Sequence, residues 1–159
     1  KNSICIFCGI EQISPINNFF RKQKGTMRVL VWQKSNPSPM NGKYVYLSGV
    51  EFAIWFKKKR ATTFNAFCKN TIFKYPSGSS KLHPTQKNLE LWKELILDNT
   101  NEGDIVFDPC MGSGTTAIAC IETNRKYIGF ELDETFYNLI QERIKDKQSQ
   151  MSKETRLFM

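Results

Sequence analysis

The chain has 159 residues, 40% hydrophobic and 24% charged, enough for a packed core in a soluble globular protein. No apolar run approaches the ~18 residues of a membrane span, and the stretch within Lys1–Gly9 is too short for a signal peptide and has no small-residue cleavage site after it. The net charge of +8 is uneven: residues 1–100 carry 16 Lys/Arg against 5 Asp/Glu, and residues 101–159 carry 7 against 10, so a half suited to a polyanion precedes a mildly acidic one, although lysines that only keep a surface soluble give the same count.

In chain order, Ser3–Gly9 is a short β-branched and aromatic run that predicts a buried strand. From Glu11 to Lys24 the positions Ile13, Ile16, Phe19 and Phe20 recur at helical spacing, and Gly25 ends that helix. Met27–Lys34 is a second strand, and the proline- and asparagine-rich Ser35–Gly42 a loop. Val50–Arg60 is a third strand that runs into the basic residues Lys57, Lys58, Lys59 and Arg60. Residues 61–82 have no clean period and mix Phe64, Phe67, Phe73 and Tyr75 with Lys69, Lys74 and Lys81.

The character then changes. Thr85–Thr100 predicts an amphipathic helix with Leu89, Trp92, Leu95 and Ile96 on one face. Asp104–Pro109 is a strand, Gly112–Asn124 a glycine turn and helix, and Lys126–Leu132 a strand. Asp133–Lys147 is a helix with Phe136, Leu139, Ile140 and Ile144 inward, followed by a polar tail expected to be loose. A strand, glycine turn, helix, strand and helix in succession start a parallel α/β unit, whose ligands bind beyond the carboxyl ends of the strands.

Five cysteines stand at 5, 8, 68, 110 and 120, several in strand- or helix-like apolar surroundings, which predicts buried free thiols in a reducing, cytoplasmic setting. Cys5 and Cys8 form a CxxC, but a zinc site needs a second ligand pair and the single histidine, His83, is far away. No metal site is expected.

Phe107–Thr116, FDPCMGSGTT, carries the most chemistry. Gly112 and Gly114 permit unusual dihedrals and close backbone approach, and the helix start beyond them suits a carboxylate or phosphate. A P-loop would need a lysine after Gly114, and none follows. GSGTTA also matches a dinucleotide turn, with Glu131 placed 19 residues past Gly112 where a ribose-binding acid belongs. Asp108-Pro109 argues against the dinucleotide, because a carboxylate there repels a pyrophosphate and suits the ammonium of an amino acid. The HPTQK segment, His83–Lys87, argues the same way.

HPTQK, then DPCMGSGTT, then YIGFELDETFY together resemble the S-adenosylmethionine (SAM)-dependent DNA amino-methyltransferases of the circularly permuted beta group. The resemblance covers nearly the whole chain, with SICIFCG, RVLVWQK and VEFAIWFKKK resembling the strands after the catalytic loop. Asn88 departs from the family's usual proline. The resemblance implies an α/β, Rossmann-like sheet with helices on both faces, in which Asp108, Pro109, Gly112, Gly114, Thr115 and Thr116 shape the methionine end of the SAM pocket. Glu131 would accept the ribose hydroxyls. Thr85 and Lys87 would approach the SAM carboxylate, although Lys87 also suits a solvated first helical turn. His83 is read as packing its loop rather than as a base.

The family's catalytic (Asp/Asn/Ser)-Pro-Pro-aromatic segment, which holds a flipped base, matches nothing in residues 1–159 and is expected before Lys1, so no catalytic residue is assigned. Its strand would lie between those of DIVFDP and SICIFCG, so the sheet is expected to be incomplete, and the chain alone inactive without a missing segment or second chain. The implied organisation is 1–60 as the end of the catalytic half, 61–82 as a short target-recognition loop, 83–147 as the SAM-binding half and 148–159 as a tail. The implied partner is duplex DNA, adenine favoured over cytosine, with Lys57, Lys58, Lys59, Arg60, Lys69 and Lys74 as candidate contacts. A restriction endonuclease partner is compatible. A non-catalytic remnant that binds SAM or DNA and an NAD-type oxidoreductase remain the alternatives.

Overall fold

The computed structural model describes residues 3–39, 42–78 and 86–157. The chain divides into two compact units, Lys1–Ser77 and Gly78–Met159.

The first unit runs through β1 (Ser3–Cys8), α1 (Ile10–Arg21), β2 (Gly25–Lys34), β3 (Val50–Lys58) and β4 (Ile72–Tyr75). Its strands lie in the order β1-β3-β2-β4, antiparallel except for β4, which runs parallel to β2. Side chains alternate across this sheet, so Ile6, Ile54, Met27 and Phe56 share one face while Phe7, Ala53 and Leu30 share the other. Helix α1 covers the first face: Phe20 stacks on Phe56 with ring centroids 4.6 Å apart, beside Ile13, Ile16 and the buried Ile54. Each such large side chain contributes ~1.5–3 kcal/mol by burial, which seats the helix despite Pro15 within it.

Two local expectations are corrected in this unit. The first helix ends at Arg21, and Gly25 opens β2 instead of closing the helix. A Cβ at Gly25 would lie 2.3 Å from the Phe56 ring and 2.5 Å from the Lys57 carbonyl, so the glycine serves strand pairing. Strand β4 lies within the segment read as aperiodic. It is held from outside itself, the Trp32 indole donating to the Tyr75 carbonyl at 2.9 Å.

The second unit comprises α2 (Leu89–Asn99), β5 (Ile105–Asp108), α3 (Thr115–Glu122), β6 (Lys126–Gly129) and α4 (Glu134–Leu157). Asn88 caps α2, its side-chain oxygen accepting from the Leu91 N–H at 3.0 Å, so the departure from proline supplies one of the orphan donors in the helix's first turn with a partner. Strands β5 and β6 are parallel, with Asp108 opposite Gly129. On one face Val106 and Tyr127 pack against Ile96, Ala119 and Cys120 from α2 and α3. The other face leaves Ile105, Phe107, Ile128 and Phe130 exposed.

Strand β6 stops at Gly129, short of the expected Leu132, which leaves Glu131 in the turn beyond it. The tail expected to be loose from Gln148 is instead the continuation of α4 to Leu157: no glycine or proline interrupts it, and good helix formers sustain it. Among the described residues β1 pairs with β3 alone, and β5 and β6 pair only with each other. No described helix is long and apolar enough to cross a membrane.

The cysteines also differ from expectation. Only Cys120 is buried, and burial pushes its thiol up to about 12; Cys5, Cys68 and Cys110 are exposed and Cys8 partly so. Cys5 pairs in register with Trp55 and Cys8 with Phe52, which places the two thiols on opposite faces of β1. The CxxC spacing therefore does not converge on one ligand.

Candidate functional site

The turn between β5 and α3 is shaped by glycine. Gly112 and Gly114 have φ of 53° and 79°, left-handed values that glycine adopts freely. The turn closes through the Gly114 N–H donating to the Met111 carbonyl at 2.8 Å, and Gly114 is then the N-cap of α3. With no capping side chain there, the first turn of α3 keeps backbone donors for a ligand. Met111 packs down against Gly129, where an added Cβ would sit 1.8 Å from its sulfur, and joins Ala117, Ile118, Ile140 and Ile144 in the core.

Two carboxylates flank this turn. Each Asp108 oxygen has its own donor: Oδ1 accepts from the Cys110 N–H at 3.0 Å and Oδ2 from the Thr116 hydroxyl. Glu131 Oε2 accepts from the Gly112 N–H at 2.7 Å, and Oε1 from the N–H groups of Leu132 and Asp133 at 2.9 and 3.0 Å. The Asp133 donor foremost, and those of Gly112 and Leu132, hold the Glu131 carboxyl below the usual carboxylate range against the opposing effect of desolvation. The backbone carries the same geometry: Met111 N–H donates to the Phe130 carbonyl at 3.0 Å, and Phe130 N–H to the Asp108 carbonyl at 3.1 Å. Asp108 and Glu131 are thereby fixed at the carboxyl ends of adjacent parallel strands.

Of the cofactor residues expected from sequence, Asp108, Pro109, Gly112, Gly114, Thr115, Thr116 and Glu131 all lie on this turn or beside it. Pro109 is exposed, whereas Thr115 and Thr116 are 4% and 5% exposed. Lys87 is half-buried just before α2, and Thr85 and His83 lie outside the described residues. Two residues escaped the sequence reading. Trp92 donates its indole N–H to Thr116 Oγ1 at 2.9 Å, and the Arg143 guanidinium donates to the Ser113 carbonyl inside the turn. The sequence assigned Trp92 only to a helix face and left Arg143 unremarked, because both partners lie more than twenty residues away.

The candidate DNA contacts do not form one patch. Lys57 and Lys58 end β3, short of the expected Arg60, and Lys59 and Arg60 lie in the turn beyond it, with Lys57 stacked over the Phe64 ring at 5.6 Å. Lys57 pairs in register with Thr26 and Lys74 with Gln33, seven residues along β2 and on the opposite face, roughly 23 Å away at ~3.3 Å per residue. Lys69 lies over the Phe73 ring at 5.7 Å.

Comparison with known proteins adds four findings. A family model described as DNA methylase matches residues 1–142. The type II methyltransferase M2.MboI of Moraxella bovis is 31% identical over 150 residues, covering 84% of this chain and 53% of its own length. The DNA adenine methyltransferase YhdJ of Escherichia coli (strain K12) is 46% identical over 57 residues, 36% of this chain and 19% of its own. The crystal structure of an M1.HpyAVI–SAM complex matches with a TM-score of 0.78 and 37% identity, over 90% of this chain and 74% of that one. The chain thus spans about half the length of M2.MboI.

Proposed function

This chain belongs to the DNA methylase family of N6/N4 amino-methyltransferases, and from that premise we propose that it binds SAM at the β5–α3 turn and serves methyl transfer to the exocyclic amino group of a base in duplex DNA. The observation that carries this reading is the placing of Asp108 and Glu131 around a turn of two positive-φ glycines at the ends of parallel strands. That donor set fits an amino acid joined to a ribose: a carboxylate for the ammonium, helix N–H groups for the carboxyl, and a second carboxylate for the diol.

SAM, when bound, supplies an electrophilic methyl group on its sulfonium. Asp108 pairs with the ammonium of the methionine moiety, and the first turn of α3, with Lys87 and Thr85, takes its carboxylate. Glu131 meets the ribose with the lone pair that its three backbone donors leave of about four. Residues 83–147 form the SAM-binding half in this reading, 1–60 the end of the catalytic half, and 61–82 the target-recognition segment. Of the segment 148–159, the described residues to Leu157 prolong α4. Adenine is the proposed base, on the likeness to YhdJ, a DNA adenine methyltransferase.

Transfer itself needs an acceptor for the amino hydrogens and an aromatic face for the extruded base. No Pro-Pro-aromatic run occurs in residues 1–159, so in this reading another segment or chain brings them. Tritiated methyl transfer from SAM to mixed-sequence duplex DNA tests this. The 159-residue chain should give none, and a version extended upstream should be active. Transfer by the short chain at the extended chain's rate would show that it holds its own catalytic residues.

The Lys57–Arg60 run is proposed as the main site of phosphate binding, with the 94% exposed Phe67 following it in the same unit. Replacing all four cations by alanine should flatten the plot of log affinity against log salt, by up to ~0.9 for each phosphate that is no longer neutralised. An unchanged slope would make the run a solvated strand end.

A further inference from the structure

Thr116 is 95% buried and its hydroxyl meets two groups, the Trp92 indole at 2.9 Å and Asp108 Oδ2. An indole N–H can only donate, and a hydroxyl has one hydrogen to give. With Trp92 donating into Oγ1, the Thr116 hydrogen is directed to Asp108. The Asp108 carboxylate is then pinned at both oxygens, by Thr116 on one and by the Cys110 N–H on the other. Its remaining lone pairs keep one orientation. Trp92 stands on α2, four residues after the N-cap Asn88, and it packs with Ile96, Ala119 and Cys120. The same hydrogen bond therefore sets α2, and the chain leading into it, in register with Asp108.

We propose that Trp92 is a positioning residue for cofactor binding, acting through Thr116 to fix the orientation of the Asp108 carboxylate. This rests on the assignment of Asp108 to the SAM pocket. Trp92 touches no ligand in this account. Its indole N–H sets which way the hydroxyl proton of Thr116 points, and the burial of Thr116 keeps water from substituting for that donor.

The test separates the N–H from the ring. Trp92→Phe and replacement of Trp92 by 3-benzothienylalanine, an isostere that keeps the bicyclic shape and lacks the donor, are titrated with SAM and with S-adenosylhomocysteine. Each should weaken both ligands by roughly three- to tenfold, the worth of one hydrogen bond. Thr116→Val should weaken them as well, and adding Trp92→Phe to Thr116→Val should cost nothing further, because the relay is already cut. A purely structural tryptophan would instead lower thermal stability by the same amount in either background and leave affinity unchanged in the benzothienyl variant. Unchanged SAM affinity in that variant, with wild-type binding intact, overturns the role of Trp92 and spares the SAM reading. Absence of SAM binding in the wild type overturns both.

Discussion

Glu131→Ala should cost roughly 10- to 150-fold in SAM affinity, the ~1.5–3 kcal/mol of hydrogen bonding to a charged acceptor. The variant removes the ribose acceptor and also releases the Gly112 N–H, which loosens the glycine turn from the end of β6. Glu131→Gln separates the two effects. Its amide oxygen can still accept from Gly112 while its NH2 faces the Leu132 and Asp133 N–H groups. The link from the turn to the end of β6 is then kept, the other two backbone bonds are lost, and SAM affinity should lie between those of wild type and Glu131→Ala. Titration followed by thermal shift reads both variants. Stabilisation of the wild type by NAD and not by SAM would sink the methyltransferase reading, and equal SAM affinity in wild type and Glu131→Ala would remove Glu131 from the site.

The pH dependence has a definite sign. The folded-state pKa of Glu131 is lowered by its backbone donors, so the stability it contributes is complete above the ordinary 4.5 and is lost as pH falls through the lower folded value. The contribution is small at such a solvated position. SAM affinity should follow the same curve: flat through neutral pH and falling only in acid. Glu131→Gln should flatten this acid limb.

The difference between what is legible in the sequence and what is not follows the range of the interactions. Asp108, the two glycines and Glu131 can be read because a strand, a tight turn and a helix fix their roles within about two dozen residues. Asn88 stands out in the sequence only as a departure from a family pattern, though its place before a helix already suits a cap. Strand β4 cannot be read: four residues give no period, and it pairs with β2, some forty residues earlier. Gly25 illustrates ambiguity of another kind. A glycine after a helical run ordinarily ends it, and only the pairing of β2 with β3 shows that the Phe56 ring excludes a side chain there. The links from Trp92 to Thr116 and from Arg143 to the turn belong to tertiary structure, and no local pattern encodes them.

The largest single effect on the site itself should come from Gly114→Ala. At φ of 79° an L-residue pays ~1–2 kcal/mol for the left-handed conformation. The added Cβ would also lie 3.0 to 3.4 Å from three atoms of Ile140, which is 3% exposed and, being β-branched, has little rotamer freedom to retreat. Overpacking of that kind costs a further ~1–3 kcal/mol, giving a destabilisation of about 2–5 kcal/mol. Gly103→Ala is the matched control: its φ is 76°, but a Cβ there meets nothing within 4 Å, so it carries the backbone cost alone. Urea unfolding should therefore place Gly114→Ala well below Gly103→Ala, with the wild type highest. Because Gly114 starts α3 and closes the turn onto Met111, SAM binding should also be abolished in Gly114→Ala while Gly103→Ala binds normally. Equal unfolding midpoints for the two variants would mean that Ile140 yields, and that close packing of α4 against the turn does not hold the cofactor loop in place.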